Sequence, residues 1–210
     1  MKVLLINGSP HEKGCIYTAL SEISGELEKN GIESEIFQLG TNPIRGCIAC
    51  GGCSKRDGSG CVFDDDVVNA ASGKIAESDA LIVGTPVYFS GVAGQVKSFM
   101  DRLFFSAEDS LLRGKPGAAI VSCRRGGASS TFDQLSHYFT IRQMPVVASQ
   151  YWNMVHGNTP DEVRQDLEGL QIMRTLARNM AWLLKSIEAG RAAGITLPDK
   201  EPRIATNFIR

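Results

Sequence analysis

The sequence lacks an excess of either positive or negative charge. Its 22 lysines and arginines are matched by 23 aspartates and glutamates, which leaves a formal net charge of −1 over 210 residues. Proteins that bind nucleic acid through phosphate contacts carry a basic surplus, so we expect no nucleic-acid partner. Internal repeats, low-complexity stretches and blocks of like charge are also missing. The length suits one well-buried domain and is short for two, so we expect a single domain over 1–210.

Long hydrophobic runs are missing as well. The longest apolar stretches, such as ALIVG at 80–84, are far shorter than a membrane-spanning helix. The N-terminal run KVLLIN breaks at Asn7 and Gly8 without a small-residue cleavage site after it, so we expect a buried strand there rather than a signal peptide. These absences predict a cytoplasmic protein with no membrane partner. Disulfides are rare in that compartment.

What the sequence does contain is a regular alternation of strand-like and helix-like segments. Continuous apolar runs, typical of strands buried on both faces, predict strands at 2–7, 33–39, 79–86, 116–123 and 144–152. Helical spacing and end signals predict helices at 15–30, 64–78, 91–105, 129–142 and 159–189, the last followed by a tail to 210. This alternation predicts a doubly wound α/β sheet of five parallel strands with helices on both faces.

Three loops follow strands at the carboxyl edge of this predicted sheet, where such folds bind ligands. The loop Gly8 to Gly14 offers backbone N–H groups, hydroxyls and a helix dipole to a phosphate. The loop Thr85 to Phe89 ends in an aromatic pair on which a planar cofactor would stack. The loop Arg124 to Gly127 offers two cations to a polar ring edge or a second phosphate. Each loop alone is also explained by an ordinary structural role: a turn rich in Gly and Pro, aromatic residues that cap the core, or a solvated basic turn.

Four of the six cysteines fall within 43–63, spaced C-x2-C-x2-C-x7-C: they are Cys47, Cys50, Cys53 and Cys61. Two short C-x2-C turns let three thiolates converge, and a glycine-rich segment supplies the fourth. Zinc usually takes two C-x2-C pairs that lie further apart, and a bacterial ferredoxin run has a shorter last gap. The residues alone leave four alternatives open: an iron–sulfur cluster, zinc, disulfides or free thiols. For the acids at 64–66, a helix N-terminus is a better explanation than a metal site.

Taken together, these stretches resemble the flavodoxin-like NAD(P)H-dependent FMN reductases. The resemblance depends on INGSP after the first strand, DALIVGTPVYFSGVAGQVKSFMDR at 79–102 and CRRGG at 123–127, and it covers about residues 1–150. YWNMVHG at 151–157 and TNFIR at 206–210 look like a particular branch. The resemblance implies a flavodoxin-like fold with strand order 2-1-3-4-5 and FMN bound at the three loops.

The implied flavin contacts fall into three groups. Near the phosphate they are Ser9, His11, Tyr17 and Thr18; beside the ring and ribityl chain Pro86, Val87, Tyr88 and Phe89; and at the pyrimidine edge Arg124, Gly126 and Gly127. The chain departs from the family pattern in the first loop, because His11 stands where Arg is frequent and Cys15 and Ile16 stand where polar side chains are frequent. We therefore expect the phosphate contacts to depend on backbone N–H groups, Tyr17 and Thr18.

The iron–sulfur flavoproteins, one branch of this family, are similar in carrying a compact cysteine run at the same place, where it holds a [4Fe–4S] cluster. The resemblance thus implies that Cys47, Cys50, Cys53 and Cys61 are ligands. We expect an FMN-dependent oxidoreductase that passes electrons from NAD(P)H to a small acceptor such as a flavin, quinone, nitro or azo compound. The flavin carries the chemistry, so no catalytic set of side chains is expected.

Two alternatives to this function stay open at the level of the sequence. One is an iron–sulfur flavoprotein that takes electrons from a ferredoxin-like partner through the cluster. The other is a non-enzymatic redox or metal sensor in which the cysteine loop is the switch. Members of the family are typically dimers or tetramers, so we expect a homodimer or homotetramer.

Overall fold

The computed structural model describes residues 1–56 and 60–206. Two parts of the predictions above lie outside the described residues, namely the middle of the cysteine loop at 57–59 and most of the stretch TNFIR at 207–210.

Strands and helices alternate along the described chain. The strands are β1 Lys2–Asn7, β2 Glu33–Gln38, β3 Ala80–Tyr88, β4 Gly91–Val92, β5 Gly117–Cys123 and β6 Met154–His156. The helices are α1 Cys15–Lys29, α2 Val68–Ala76, α3 Gly94–Ser106, α4 Asp109–Leu112, α5 Ala128–Ile141, α6 Pro160–Gln165 and α7 Leu167–Ala192, with a 3₁₀ turn at Cys53–Lys55. The parallel strands run in the order β2-β1-β3-β5-β6, and β4 pairs antiparallel with β3. This is the predicted order 2-1-3-4-5 of five parallel strands, so the predicted fold class is confirmed.

The core lies on both faces of the sheet. Alternate side chains of β1 point to opposite faces, as strand geometry requires. Val3 and Leu5 pack with α1 and α7, whereas Leu4 and Ile6 pack with α2, α3 and α5. A strand covered on both sides must be apolar at every position, and this is why KVLLIN reads as a continuous run.

The prediction that the fifth parallel strand covers 144–152 is wrong, because that strand is β6, Met154–His156. The Val147 N–H donates to the Gly117 carbonyl at 2.9 Å, so the chain meets the sheet there, and then it leaves the edge. The buried Asn153 brings the chain back, because its Nδ2 donates to the Ala119 carbonyl at 3.1 Å in place of a backbone N–H. Regular pairing follows only in β6.

The predicted helix 64–78 begins later than expected. Asp66 precedes α2, and its Oδ1 accepts the N–H of Val68 at 3.1 Å. The expectation that the acids at 64–66 serve the helix N-terminus therefore holds for Asp66 but is wrong for Asp64 and Asp65, since the first turn of α2 holds no acidic residue. All three acids form ion pairs with arginines.

The predicted last helix, 159–189, is two helices. Asp166 ends α6 and caps α7, since its Oδ1 accepts the Gly169 N–H at 2.9 Å. The predicted helix 91–105 loses its first residues to β4, which pairs with the end of β3 to form a short hairpin.

No helix within the described ranges is both long enough and apolar enough to cross a bilayer.

Candidate functional site

The three loops named from the sequence lie at one edge of the sheet and touch neighbouring elements there. The Gly8 N–H donates to the Gly84 carbonyl at 2.9 Å, which ties the first loop to β3. A Cβ on Gly8 would lie 2.5 Å from that same oxygen, so only glycine allows this approach. The Ser130 hydroxyl donates to the Ser90 carbonyl at 2.7 Å, which ties the residue after the second loop to α5, the helix that follows the third loop.

A pair of amide side chains, the buried Asn7 and the half-buried Gln38, braces the first loop. Asn7 accepts the Ser9 N–H at 3.1 Å and donates to the Glu12 carbonyl at 3.0 Å and to the Gln38 side chain at 2.5 Å. Gln38, at the end of β2, in turn donates to the Ser9 carbonyl at 2.7 Å. The loop is therefore fixed from both sides before any ligand binds. Neither amide was predicted from the sequence as part of the site.

The predicted phosphate residues take different positions in this loop. The Ser9 hydroxyl is buried and accepts the His11 N–H at 3.1 Å. The Thr18 hydroxyl donates to the Gly14 carbonyl at 3.1 Å, so its proton is already used. His11 is exposed and Tyr17 is half-buried. Gly14 precedes α1 without a capping side chain among the described residues, so the N–H groups of the first turn are left for an anion.

The second loop is a tight hairpin that presents its aromatic residues to solvent. Tyr88 pairs with Gly91, and the two residues between them, Phe89 and Ser90, have φ of 50° and 59°. This is the geometry of a type I′ turn, which favours Asn and Gly because it needs positive φ twice. Phe89 is fully exposed, with a relative accessible surface of 107%, and Tyr88 is exposed at 48%. Pro86 and Val87 are half-buried below them.

The third loop lies against the tip of this hairpin. Gly127 adopts φ of 84°, and a Cβ there would lie 2.6 Å from the Ser90 Cα, so glycine is required for two reasons. Arg124 and Gly126 are exposed at the end of β5. The structure thus brings the predicted ring and pyrimidine-edge residues to one edge of the sheet, where the Val87 side chain lies beside Gly127.

A cavity of about 380 Å³ lies beside the end of β6. Trp152 and Tyr151 form an aromatic pair in its wall, with ring centroids 4.8 Å apart. Its polar lining includes Ser129, His156 and Asp166. The sequence analysis missed this cavity, because it assigned 144–152 to a strand, and the aromatic pair is exposed only because the chain leaves the sheet there.

The four clustered cysteines surround a second, small cavity. Cys47, Cys50, Cys53 and Cys61 all line it, although Cys47 and Cys50 are exposed and Cys61 is buried. None of the six cysteines, all of which lie within the described residues, is paired in a disulfide. Within 1–56 and 60–206, no three His, Cys, Asp or Glu side chains lie close enough together to hold a single metal ion.

The wall of this cysteine cavity contains a buried arginine. The Arg102 Nε donates to the Cys61 Sγ at 3.3 Å, and one terminal nitrogen donates to the Phe63 carbonyl at 2.9 Å. The other terminal nitrogen pairs with the Asp66 carboxylate. Burial acts to lower the pKa of Arg102, but the hydrogen bonds to Cys61 and Asp66 outweigh it and raise that pKa. Four thiols around one cavity, with a cationic donor on one sulfur, are a donor set that fits an iron–sulfur cluster.

Arg102 is the site residue that sequence reasoning missed most clearly. The sequence did carry a signal, because Arg102 falls between Phe99 and Leu103, which are core residues of the same helix. A charged residue on the buried face of a helix needs a buried partner. Among the residues that the structure describes, no cation pairs with either of the remaining two cysteines. Burial raises the pKa of both Cys15 and Cys123, which keeps them protonated.

The sheet order and the loops at its carboxyl edge define a flavodoxin-like protein. A flavodoxin from the domain Archaea aligns over 88% of this chain and 99% of its own, with 16% identity and a TM-score of 0.57. An apo NADH:FMN oxidoreductase aligns over 87% of this chain and 89% of its own, with 14% identity and a TM-score of 0.60. At these identities the likeness concerns the fold alone.

Sequence comparison identifies the family. The chain belongs to the NADPH-dependent FMN reductase family, whose model matches residues 1–159. An iron–sulfur flavoprotein of Methanocaldococcus jannaschii is 33% identical over 90% of this chain and 100% of its own length. An iron–sulfur flavoprotein of Archaeoglobus fulgidus is 37% identical over 61% of this chain and 63% of its own. The resemblance predicted from the sequence is confirmed.

Proposed function

We propose that this chain is an FMN-dependent oxidoreductase in which the flavin exchanges electrons with a [4Fe–4S] cluster held by Cys47, Cys50, Cys53 and Cys61. The observation that carries the proposal is the convergence of these four free thiols on one cavity next to α3. FMN would supply hydride and electron chemistry at its ring, and the cluster would supply single electrons.

The braced first loop would hold the FMN phosphate. Backbone N–H groups at the uncapped start of α1 are the main donors in this proposal, with Ser9 and Tyr17 beside them and Thr18 keeping the loop in shape. His11 is exposed at the loop surface, beside the proposed phosphate site.

The hairpin and the third loop would hold the ring. Pro86 and Val87 would form its floor, while Tyr88 and Phe89 supply aromatic surface. Arg124 and the backbone of Gly126 and Gly127 would meet the pyrimidine edge, where a cation stabilises negative charge.

Helix α3 links the two cofactor sites. It begins at Gly94, directly after the hairpin, and Arg102 on the same helix lines the cysteine cavity. Eight residues of helix correspond to about 12 Å along the axis. The loop after β2 runs beside this helix, because Gln95 donates to the carbonyls of Gly40 and Asn42 at 2.9 and 3.1 Å. This arrangement supports electron exchange between neighbouring cofactors.

The acceptor in this proposal is a small planar molecule such as a flavin, quinone, nitro or azo compound. The 380 Å³ cavity with its aromatic wall supports a ligand of that size and shape. The electron donor is a ferredoxin-like protein, which suits an exposed cysteine loop. We also propose a cytoplasmic location, which free thiols support, and a homodimer or homotetramer.

A second candidate donor is NAD(P)H. The description of the matching family favours it. In that case the nicotinamide would reduce FMN directly, and the four cysteines would be plain or regulatory thiols.

The test is an absorption spectrum of protein purified without oxygen, with iron and acid-labile sulfide measured on the same sample. We expect bound FMN and about four irons per chain, reduced by a ferredoxin more readily than by NADPH. Replacing Cys50 by Ser should remove the iron and keep the flavin. Cys15→Ser is the matched control and should keep both. FMN without iron, reduced by NADPH, would favour the second candidate, and a chain that binds no FMN would overturn both.

A further inference from the structure

We propose that Arg102 is a positioning residue for the cysteine site, which holds Cys61 in place as the buried ligand and raises the reduction potential of the cluster. This inference deepens the proposed function and depends on its cluster. It assigns a role to a residue that does not itself ligate iron.

The position of Arg102 is not that of an ordinary structural ion pair. Its side chain is 0% exposed and that of Asp66 is 3% exposed. A buried charge is expensive unless every donor has a partner. Here the guanidinium has three partners in three directions: the Cys61 sulfur, the Phe63 carbonyl and the Asp66 carboxylate. A single carboxylate would satisfy the charge, so the bond to sulfur is additional.

The same group fixes the geometry of the fourth ligand. Cys61 is eight residues beyond the third cysteine of the run, so its place must be set by something other than the C-x2-C turns. Asn69 accepts the Cys61 N–H at 2.9 Å through Oδ1 and donates to the Cys61 carbonyl at 2.8 Å. Backbone and sulfur are thus both held by side chains from α2 and α3. The buried thiol is in position while Cys47 and Cys50 remain exposed.

The sign of the electrostatic effect follows from charge. Reduction adds one electron to the cluster, and a nearby cation or N–H donor to a ligand sulfur stabilises the added negative charge. Arg102 should therefore raise the potential, whereas the Asp66 carboxylate should partly offset it. The two residues are expected to act in opposite directions.

The experiment is a potentiometric titration of the cluster, monitored by electron paramagnetic resonance, on anaerobically purified and reconstituted holoprotein. Arg102→Gln should lower the ratio of reduced to oxidised cluster at least tenfold at a fixed potential, a shift of 59 mV for one electron. Asp66→Asn should shift the ratio the opposite way. Arg45→Gln is the matched control, because Arg45 lies over the Phe63 ring at 4.5 Å but is 51% exposed. Water screens that charge, so its removal should shift the ratio far less.

The outcomes separate this inference from the proposed function. A wild-type protein that takes up no iron overturns both. A wild-type cluster whose potential is the same in Arg102→Gln, or shifts no more than in Arg45→Gln, overturns the role of Arg102 alone. If Arg102→Gln loses its iron, Arg102→Lys is titrated in its place, because it keeps the positive charge but lacks the Nε donor to Cys61. A potential lower than that of the wild type by more than the Arg45→Gln shift supports the inference, and a potential equal to that of the wild type overturns it.

Discussion

At the scale of single residues, the turn between β3 and β4 holds two side chains in a conformation that suits glycine. Phe89 makes this turn with positive φ and a fully exposed ring, so its backbone strain is not offset by packing. We predict that Phe89→Gly raises the free energy of unfolding of the flavin-free protein by roughly 0.5 to 1 kcal/mol. The same change should weaken FMN binding about fivefold through lost aromatic contact. Urea unfolding and a fluorescence titration with FMN measure the two effects.

Ser90→Gly is the control for this prediction, because it relaxes the neighbouring position and keeps the ring. It should stabilise the protein and leave the affinity for FMN unchanged. If Phe89→Gly bound FMN as tightly as the wild type, the ring would have no part in the flavin site.

The sequence predicted which residues form the site better than it predicted which residues contact each other. The four cysteines were found by spacing alone, and the structure brings them to one cavity. Arg102 and Asp66 were not predicted as a pair, because they are 36 residues apart and the contact exists only once α3 packs beside the cysteine loop. The positive φ of Phe89 was equally invisible, since a Tyr-Phe-Ser sequence carries no signal for a type I′ turn.

At the scale of elements, helices α3 and α5 are joined by a polar cluster. The Tyr138 hydroxyl bonds to Asp101 and to Lys97, and Lys97 also lies over the Tyr138 ring at 4.9 Å. Burial, followed by the hydrogen bond to Asp101, raises the pKa of Tyr138 from 10.0 to about 12. The folded protein thus holds this proton more tightly than the unfolded chain does.

The pH dependence of stability follows from that difference. The contribution of Tyr138 is complete below pH 10 and is lost as the pH rises toward about 12. We predict that the free energy of unfolding falls over this range and that Tyr138→Phe makes the fall shallower. The pKa of Lys97 is also raised, so part of the fall should remain in the variant. Identical profiles for the two proteins, measured by urea unfolding at each pH, would contradict the prediction.

The junction between α6 and α7 gives a second prediction at this scale. Asp166 caps α7 and also accepts the His156 N–H at 2.6 Å, so one carboxylate ties the long helix to β6. We predict that Asp166→Ala lowers the free energy of unfolding by about 1 kcal/mol or more. Asp166→Asn should recover only part of this loss, because its single side-chain oxygen can cap α7 but can no longer also accept the His156 N–H. Equal losses in the two variants would show that the cap contributes nothing.

Periodicity predicted which segments are strands and which are helices. It did not predict where they begin and end, because individual polar side chains determine those positions. The predicted strands 2–7 and 33–39 and the predicted helix 129–142 match β1, β2 and α5 to within one residue at each end. The errors fall where one polar side chain replaces a backbone group, as Asn153 does before β6 and Asp166 does before α7. Such replacements depend on which strand or helix lies opposite, so a single sequence does not reveal them.

At the scale of the whole molecule, the flavin site should be coupled to the stability of the entire fold. The first loop is braced from β1 and β2, and the hairpin and third loop extend from β3 and β5, so unfolding of the sheet destroys the site. We predict that free FMN at one hundred times its dissociation constant stabilises the protein by about 2.7 kcal/mol. For a chain of this size that raises the melting temperature by roughly 5 to 10 °C. Riboflavin, which lacks the phosphate, should give a much smaller shift, and equal shifts would argue against a phosphate site in the first loop.

The detour before β6 has a consequence for solubility. A sheet with five parallel strands has two open edges, and an open edge with unpaired backbone groups attracts strands from other molecules. One edge here ends in a strand of only three residues, Met154–His156, preceded by a segment that bends away. At the other edge, Glu35 of β2 is paired with Lys2 and Lys74, so that edge is lined with charge. A straight strand at 144–152 would expose a longer edge with unpaired backbone groups, so we expect the irregularity to protect the folded protein against aggregation.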